Sequence, residues 1–100
     1  MTLSEVLHES IKTQGRDVCL NIAMEEPAEL IQAISKMRRY ENSEIQRRHL
    51  IEEIGDTVIG INYLIEIYDL RWADIFEVMD KKQERIIEII DTIRSREGKS

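Results

Sequence analysis

Residues 18–39 read VCLNIAMEEPAELIQAISKMRR. Within them Cys19, Ile22, Ala23, Leu30, Ala33, Ile34 and Met37 fall on one face when the chain is wound at about 100° per residue. The stretch therefore predicts a helix with an apolar stripe. Pro27 is its discordant residue, because proline inside a helix removes a backbone hydrogen bond and crowds the carbonyl four residues back. That predicts a kink between Ala23 and Pro27, or a fresh helix with Pro27 at its first position.

The same periodicity continues on both sides. Upstream, Leu3, Val6, Leu7 and Ile11 share a face of a helix expected over 3–12, and Thr2 with Glu5 reads as a capping box. Gly15 breaks this segment, and Asp17 is a candidate cap for the next one. Downstream, Ser43 and Gln46 form a second capping box before a helix expected over 44–68. Its stripe holds Leu50, Ile54, Thr57, Ile61, Leu64 and Tyr68. A short link over 69–71 leads to a fourth helix over 72–94, and 96–100 reads as a frayed end. On that last helix Ile75, Met79, Ile86, Ile89, Ile90 and Ile93 cluster, with Ile87 widening the arc beyond what one core needs. The expectation is an all-α bundle of four to five helices in one domain, 1–100, with part of the arc covered by another copy in a homo-oligomer.

Composition agrees. With 42% hydrophobic and 34% charged residues, one Pro and four Gly, the chain is too apolar for disorder and too poor in turn formers for an all-β fold. A formal net charge of −6 argues against nucleic acid and anionic membranes as partners. It does not exclude a phosphate ligand, since a bound cation inverts the local field. Cys19 is the only cysteine, so no internal disulfide forms and a reducing compartment is expected. The start carries Glu5 and no basic cluster, and no 18-residue apolar run occurs, so the expected location is cytoplasmic.

The informative residues are acids standing where the pattern calls for apolar side chains. Glu26 and Glu29 lie within the stripe of the 18–39 helix, and Glu53 and Asp56 lie within that of the 44–68 helix. Each pair is spaced by three, so its members face the same way. Carboxylates turned into a bundle lose hydration and repel one another. Either some stay protonated, or a cation sits among them. Hard oxygen donors suit Mg²⁺ or Mn²⁺. Cys19 and His49 are not arranged for zinc, and the sequence does not carry both of the Glu-x-x-His pairs that a di-iron bundle requires. Mg²⁺ commonly completes its shell with substrate phosphates, which points to a phosphorylated substrate. The competing structural reading is a rim of acids paired to Lys or Arg. Lys82, among Ile75, Met79, Ile86 and Ile89, and Arg85 after it could meet such acids or a substrate phosphate.

Glu25-Glu26-Pro27-Ala28-Glu29 followed by Glu53-Ile54-Gly55-Asp56 resembles the EExxE…ExxD signature of MazG-like nucleoside triphosphate pyrophosphohydrolases. Lys82-Gln83-Glu84-Arg85 is similar to a Lys-x-x-Arg on the family's following helix, although that motif is weakly specific by itself. The resemblance spans residues 18–90. It implies an all-α NTP pyrophosphatase fold, assembled as a dimer or dimer of dimers, that cleaves a (deoxy)nucleoside triphosphate to monophosphate and pyrophosphate. Carried over by position, Glu26, Glu29, Glu53 and Asp56 would bind Mg²⁺, and Lys82 and Arg85 would meet phosphates. Glu25, Glu29 and Glu53 are the catalytic candidates, with Glu25 or Glu29 as proton acceptor. Pro27 departs from the family's commonest pattern.

Other residues carry plainer expectations. Trp72, Tyr63 and Phe76 could stack on a base, but the preferred reading of each is plain core. Arg38, Arg39, Arg47 and Arg48 read as a solvated basic loop, His8 and His49 as structural or exposed, and Cys19 as core. Two alternatives stand beside the main reading. One is phosphoribosyl-ATP pyrophosphohydrolase, whose other motifs are not matched. The other is a non-catalytic helical module in which the acids pair with Lys82 and Arg85.

Overall fold

A computed structural model describes residues 1–98 of the chain. The described residues form four helices and no strand: α1 Leu3–Gln14, α2 Arg16–Arg39, α3 Glu44–Tyr68 and α4 Trp72–Glu97. The fold is all-α, as its periodicity requires. Its residues divide into two compact units, Met1–Leu70 and the segment from Arg71 onward.

Helix boundaries follow local chemistry. Thr2 caps α1: its hydroxyl oxygen accepts from the Glu5 N–H at 3.2 Å while its hydroxyl donates to Glu5 Oε1 at 3.1 Å. Gly15, at φ +96°, joins α1 directly to α2 in a conformation that side chains disfavour. Asp17 is therefore not the cap of α2. It sits in the first turn, where its charge complements the helix dipole. Ser43 caps α3 by accepting from the Gln46 N–H at 3.3 Å. Asp69, at φ 51°, ends α3 in the left-handed conformation that Asp tolerates.

Pro27 neither ends α2 nor starts a new helix, because α2 runs through it. A lost hydrogen bond in one turn is outweighed by the side chains that the turns on both sides bury. Those side chains form a seam with α3. On α2 the buried or half-buried positions of the seam are Cys19, Ala23, Glu26, Leu30, Ala33 and Met37; on α3 they are Gln46, Leu50, Glu53, Thr57, Gly60, Leu64 and Ile67. Both rows step by alternating four and three residues, the spacing of knobs-into-holes packing. Gly60 lies against Ala23, and Thr57 lies against Glu26, so the two helices run antiparallel. This corrects the expected stripe of α3. Leu50, Thr57 and Leu64 lie on the seam, but Ile54, Ile61 and Tyr68 are exposed, and Glu53 and Gly60 take the buried positions instead. On α2, Ile34 is likewise exposed.

Helix α1 closes one end of this hairpin. Leu7, Cys19 and Tyr63 form the core there, with Ile11, Ile22 and Ile67 packed around them. Ser10 and Tyr63 share a hydrogen bond of 2.6 Å between their hydroxyls, which gives the buried phenol its polar partner. Tyr63 is thus a core residue and not a platform for a base.

In the second unit, α4 extends to Glu97, past the expected end at 94, so only 99 and 100 of the expected frayed tail lie outside the described residues. It has no buried residue. Trp72 and Phe76 stack at 5.5 Å between ring centroids, one turn apart on its exposed surface.

Candidate metal centre

The hairpin seam brings the acids together. Glu26 occupies a seam position on α2, and Glu53 a seam position on α3, one turn along from Thr57, which lies against Glu26. Asp56, three residues beyond Glu53, reaches the same place from the seam's exposed edge. One carboxylate oxygen from each of Glu26, Glu53 and Asp56 lies within 4.8 Å of the other two. Glu29 stands beside Glu26 closely enough for its charge, and a hydrogen bond between the two carboxyls, to act on it. Glu25 is exposed and stands outside the group of three.

Electrostatics make the arrangement costly when empty of positive charge. Glu53 is 8% exposed. Glu26 Oε2 and Glu53 Oε2 are both buried and have no hydrogen-bond partner. Burial raises the Glu26 pKa above its ordinary 4.5, and the charges of Glu29, Asp56 and Glu53 push it the same way. No Lys or Arg of the first unit forms an ion pair with any of the four acids. Two carboxylates with an orphaned oxygen each, grouped with a third acid, are a donor set of hard oxygens, and they fit a divalent cation.

Two polar residues at this seam went unrecognised in the sequence. His49, expected to be merely structural or exposed, lies one turn before Glu53, with Nε2 at 3.2 Å from Glu53 Oε1. The i,i+4 spacing permits this pair but does not single it out, because it looks the same on any helix surface. Thr57, read only as a stripe residue, donates its hydroxyl to the Glu53 carbonyl at 2.7 Å and lies 3.4 Å from the Glu26 carbonyl, tying α3 to α2 at the acids.

In the second unit, Lys82 and Arg85 are exposed on one face of α4, where with Val78, Lys81, Glu84 and Glu88 they line a shallow groove of about 380 Å³. The basic residues Arg38 and Arg39 are exposed near the end of α2, and Arg47 and Arg48 at the start of α3, in keeping with a solvated loop region.

Comparison with known proteins agrees with this geometry. The family model described as the MazG nucleotide pyrophosphohydrolase domain matches residues 14–96, which includes both acidic pairs and the whole α2–α3 hairpin. Neither the curated proteins nor the solved structures yield a match. Acidic pairs on successive helices, converging across a seam inside a matched domain, lead to one conclusion: the chain belongs to the MazG nucleotide pyrophosphohydrolase family and is a hydrolase acting on nucleotide pyrophosphate bonds.

Proposed function

We propose that the protein is a Mg²⁺-dependent nucleoside triphosphate pyrophosphohydrolase that converts a (deoxy)NTP to the monophosphate and pyrophosphate. The observation that carries this reading is the pair of buried, unpartnered oxygens on Glu26 and Glu53 beside Asp56. Glu26, Glu53 and Asp56, with Glu29 alongside, would hold the cation; Mn²⁺ has the same ligand preferences and could replace Mg²⁺. When bound there, a divalent ion neutralises phosphate oxygens and acidifies the attacking water.

The chain's own residues supply the remainder. In the reaction water adds to the α-phosphorus, the bond to the bridging oxygen of the β-phosphate breaks, and pyrophosphate departs with that oxygen. Glu29, beside Glu26, and Glu25, the residue before it in the chain, are both exposed, and either would accept the proton from water and release it to solvent. Glu53 would act in catalysis as one of the ligands of the cation, its carboxylate helping to set where the reacting phosphate lies relative to that water. Lys82 and Arg85 are assigned to the substrate's phosphates, where paired cations stabilise the leaving group. The working unit is a single MazG-like domain over 1–100, assembled as a homodimer or dimer of dimers. A cytoplasmic setting suits its lone, buried, reduced Cys19. Among the described residues no helix is long and apolar enough to cross a membrane.

A pyrophosphate-release screen over normal and modified triphosphates tests the proposal. Release should require Mg²⁺ or Mn²⁺, and Glu53→Gln should lower it by at least about 100-fold while the circular dichroism spectrum stays helical. No release from any triphosphate, or wild-type turnover by Glu53→Gln, would remove the assignment. Preferential turnover of phosphoribosyl-ATP would move it to that neighbouring activity.

A further inference from the structure

His49 is the one basic side chain of the first unit paired with any of the four acids, and it is not among the residues assigned a role above. It differs from Glu53 in exposure. The Glu53 side chain is 11% exposed, whereas that of His49 is 41% exposed, so the imidazole reaches the buried carboxylate from the solvent side. Its Nε2 meets Glu53 Oε1, and Glu53 Oε2 is left buried without a partner. A glutamate has three rotatable side-chain bonds, and an acid surrounded by other acids is driven to rotate away from them. The backbone does not stop it: the Thr57 hydroxyl binds the main-chain carbonyl of Glu53, not its carboxylate. Only His49 holds the carboxylate group itself.

We propose that His49 is a positioning residue: its hydrogen bond to one oxygen of Glu53 fixes the carboxylate so that the other oxygen is presented, with Glu26 and Asp56, to a divalent cation. This rests on the reading of the acids as a cation site. Partners that orient a ligating carboxylate affect affinity without touching the metal, typically by about 10- to 100-fold. The requirement is for a donor at one point in space, not for an imidazole. A glutamine side chain delivers an N–H donor from nearly the position of Nε2.

The experiment measures cation binding without nucleotide, on the full chain as wild type, His49→Ala and His49→Gln. Thermal unfolding is followed through Mg²⁺ titrations, Mn²⁺ binding is read by electron paramagnetic resonance, and melting in EDTA reports on the metal-free fold. His49→Ala should need about 10- to 100-fold more Mg²⁺ for half-saturation while melting in EDTA close to wild type. His49→Gln should titrate within a few-fold of wild type. Unchanged half-saturation in His49→Ala overturns the inference, whether or not its EDTA melting falls, and so does a loss in His49→Gln as large as in His49→Ala. A wild type indifferent to Mg²⁺ and Mn²⁺ overturns the cation site itself, and this inference with it; a responsive wild type with an equally responsive His49→Ala overturns only the role of His49.

Discussion

Glu26 occupies a seam position that a helical pair would ordinarily fill with an apolar side chain, and this position disfavours its charged form. Burial, reinforced by the charges of Glu29, Asp56 and Glu53, raises its pKa in the folded protein above the ordinary 4.5. The folded state therefore holds this proton more tightly than the unfolded chain. The stability the group contributes is fully present below pH 4.5 and is lost as pH climbs through the raised folded-state value. Metal-free protein in EDTA should accordingly lose stability relative to Glu26→Gln as pH rises through that window, and the variant should be the more stable of the two at neutral pH. Urea unfolding of both proteins from pH 4 to 8 measures the difference; parallel pH profiles would show that Glu26 is not held against its charge. Glu26 and Glu53 were legible in the sequence because they interrupt apolar stripes, whereas Glu29 and Asp56, read into the same stripes, are exposed. His49 was not legible, because an i,i+4 His–Glu pair on a helix surface looks the same whether or not the glutamate is buried.

The seam between α2 and α3 depends on small residues as much as on apolar ones. A Cβ built on Gly60 would lie 3.2 Å from the Ala23 Cα and 3.8 Å from its carbonyl oxygen, so the α2 backbone would have to move by a few tenths of an ångström. A Cβ on Gly55 of the same helix meets nothing within 4 Å. Alanine should gain about 0.5–1 kcal/mol of helix stability over glycine in either place. At Gly60 overpacking, at about 1–3 kcal/mol, outweighs that gain. Gly55→Ala should therefore stabilise the protein and Gly60→Ala destabilise it by about 1 kcal/mol, as read from urea midpoints at constant m-value. Gly60→Ala as stable as Gly55→Ala would mean that the helices are not in close contact there. The same glycine explains what the sequence concealed. The 4-3 spacing of the seam is present in the sequence, but Glu26, Glu53 and Gly60 stand in it, and none of them is apolar. A stripe assembled from hydrophobic residues alone leaves Glu53 and Gly60 for Ile54 and Ile61, each rotated by about 100°. Helix existence and the caps at Thr2 and Ser43 survived this error because they depend on local chemistry; the direction of the buried face did not, because it depends on the partner helix.

That displaced face matters to the molecule as a whole. Ile51, Ile54, Val58, Ile61 and Tyr68 of α3 form a second apolar row, all exposed, while α4 buries no residue and exposes Ile86, Ile87, Ile89, Ile90 and Ile93. Isolated surface hydrophobes are ordinary, but rows with helical spacing in a chain of 100 residues are not. A chain of this length has little core from which to draw stability, and burying one large aliphatic side chain contributes about 1.5–3 kcal/mol. Covering such rows with another copy is the economical solution, as the expected dimer or dimer of dimers requires. The solution mass should then be two or four times the 11.8 kDa of one chain, measured by light scattering at micromolar concentration. Because association stabilises only the folded chain, the melting temperature should rise with protein concentration. Val58→Arg introduces a charge in the α3 row away from the acids, and it should lower both the mass and the concentration dependence. A wild-type mass of one chain across that range, with a melting temperature independent of concentration, would mean that these rows are not an interface between copies.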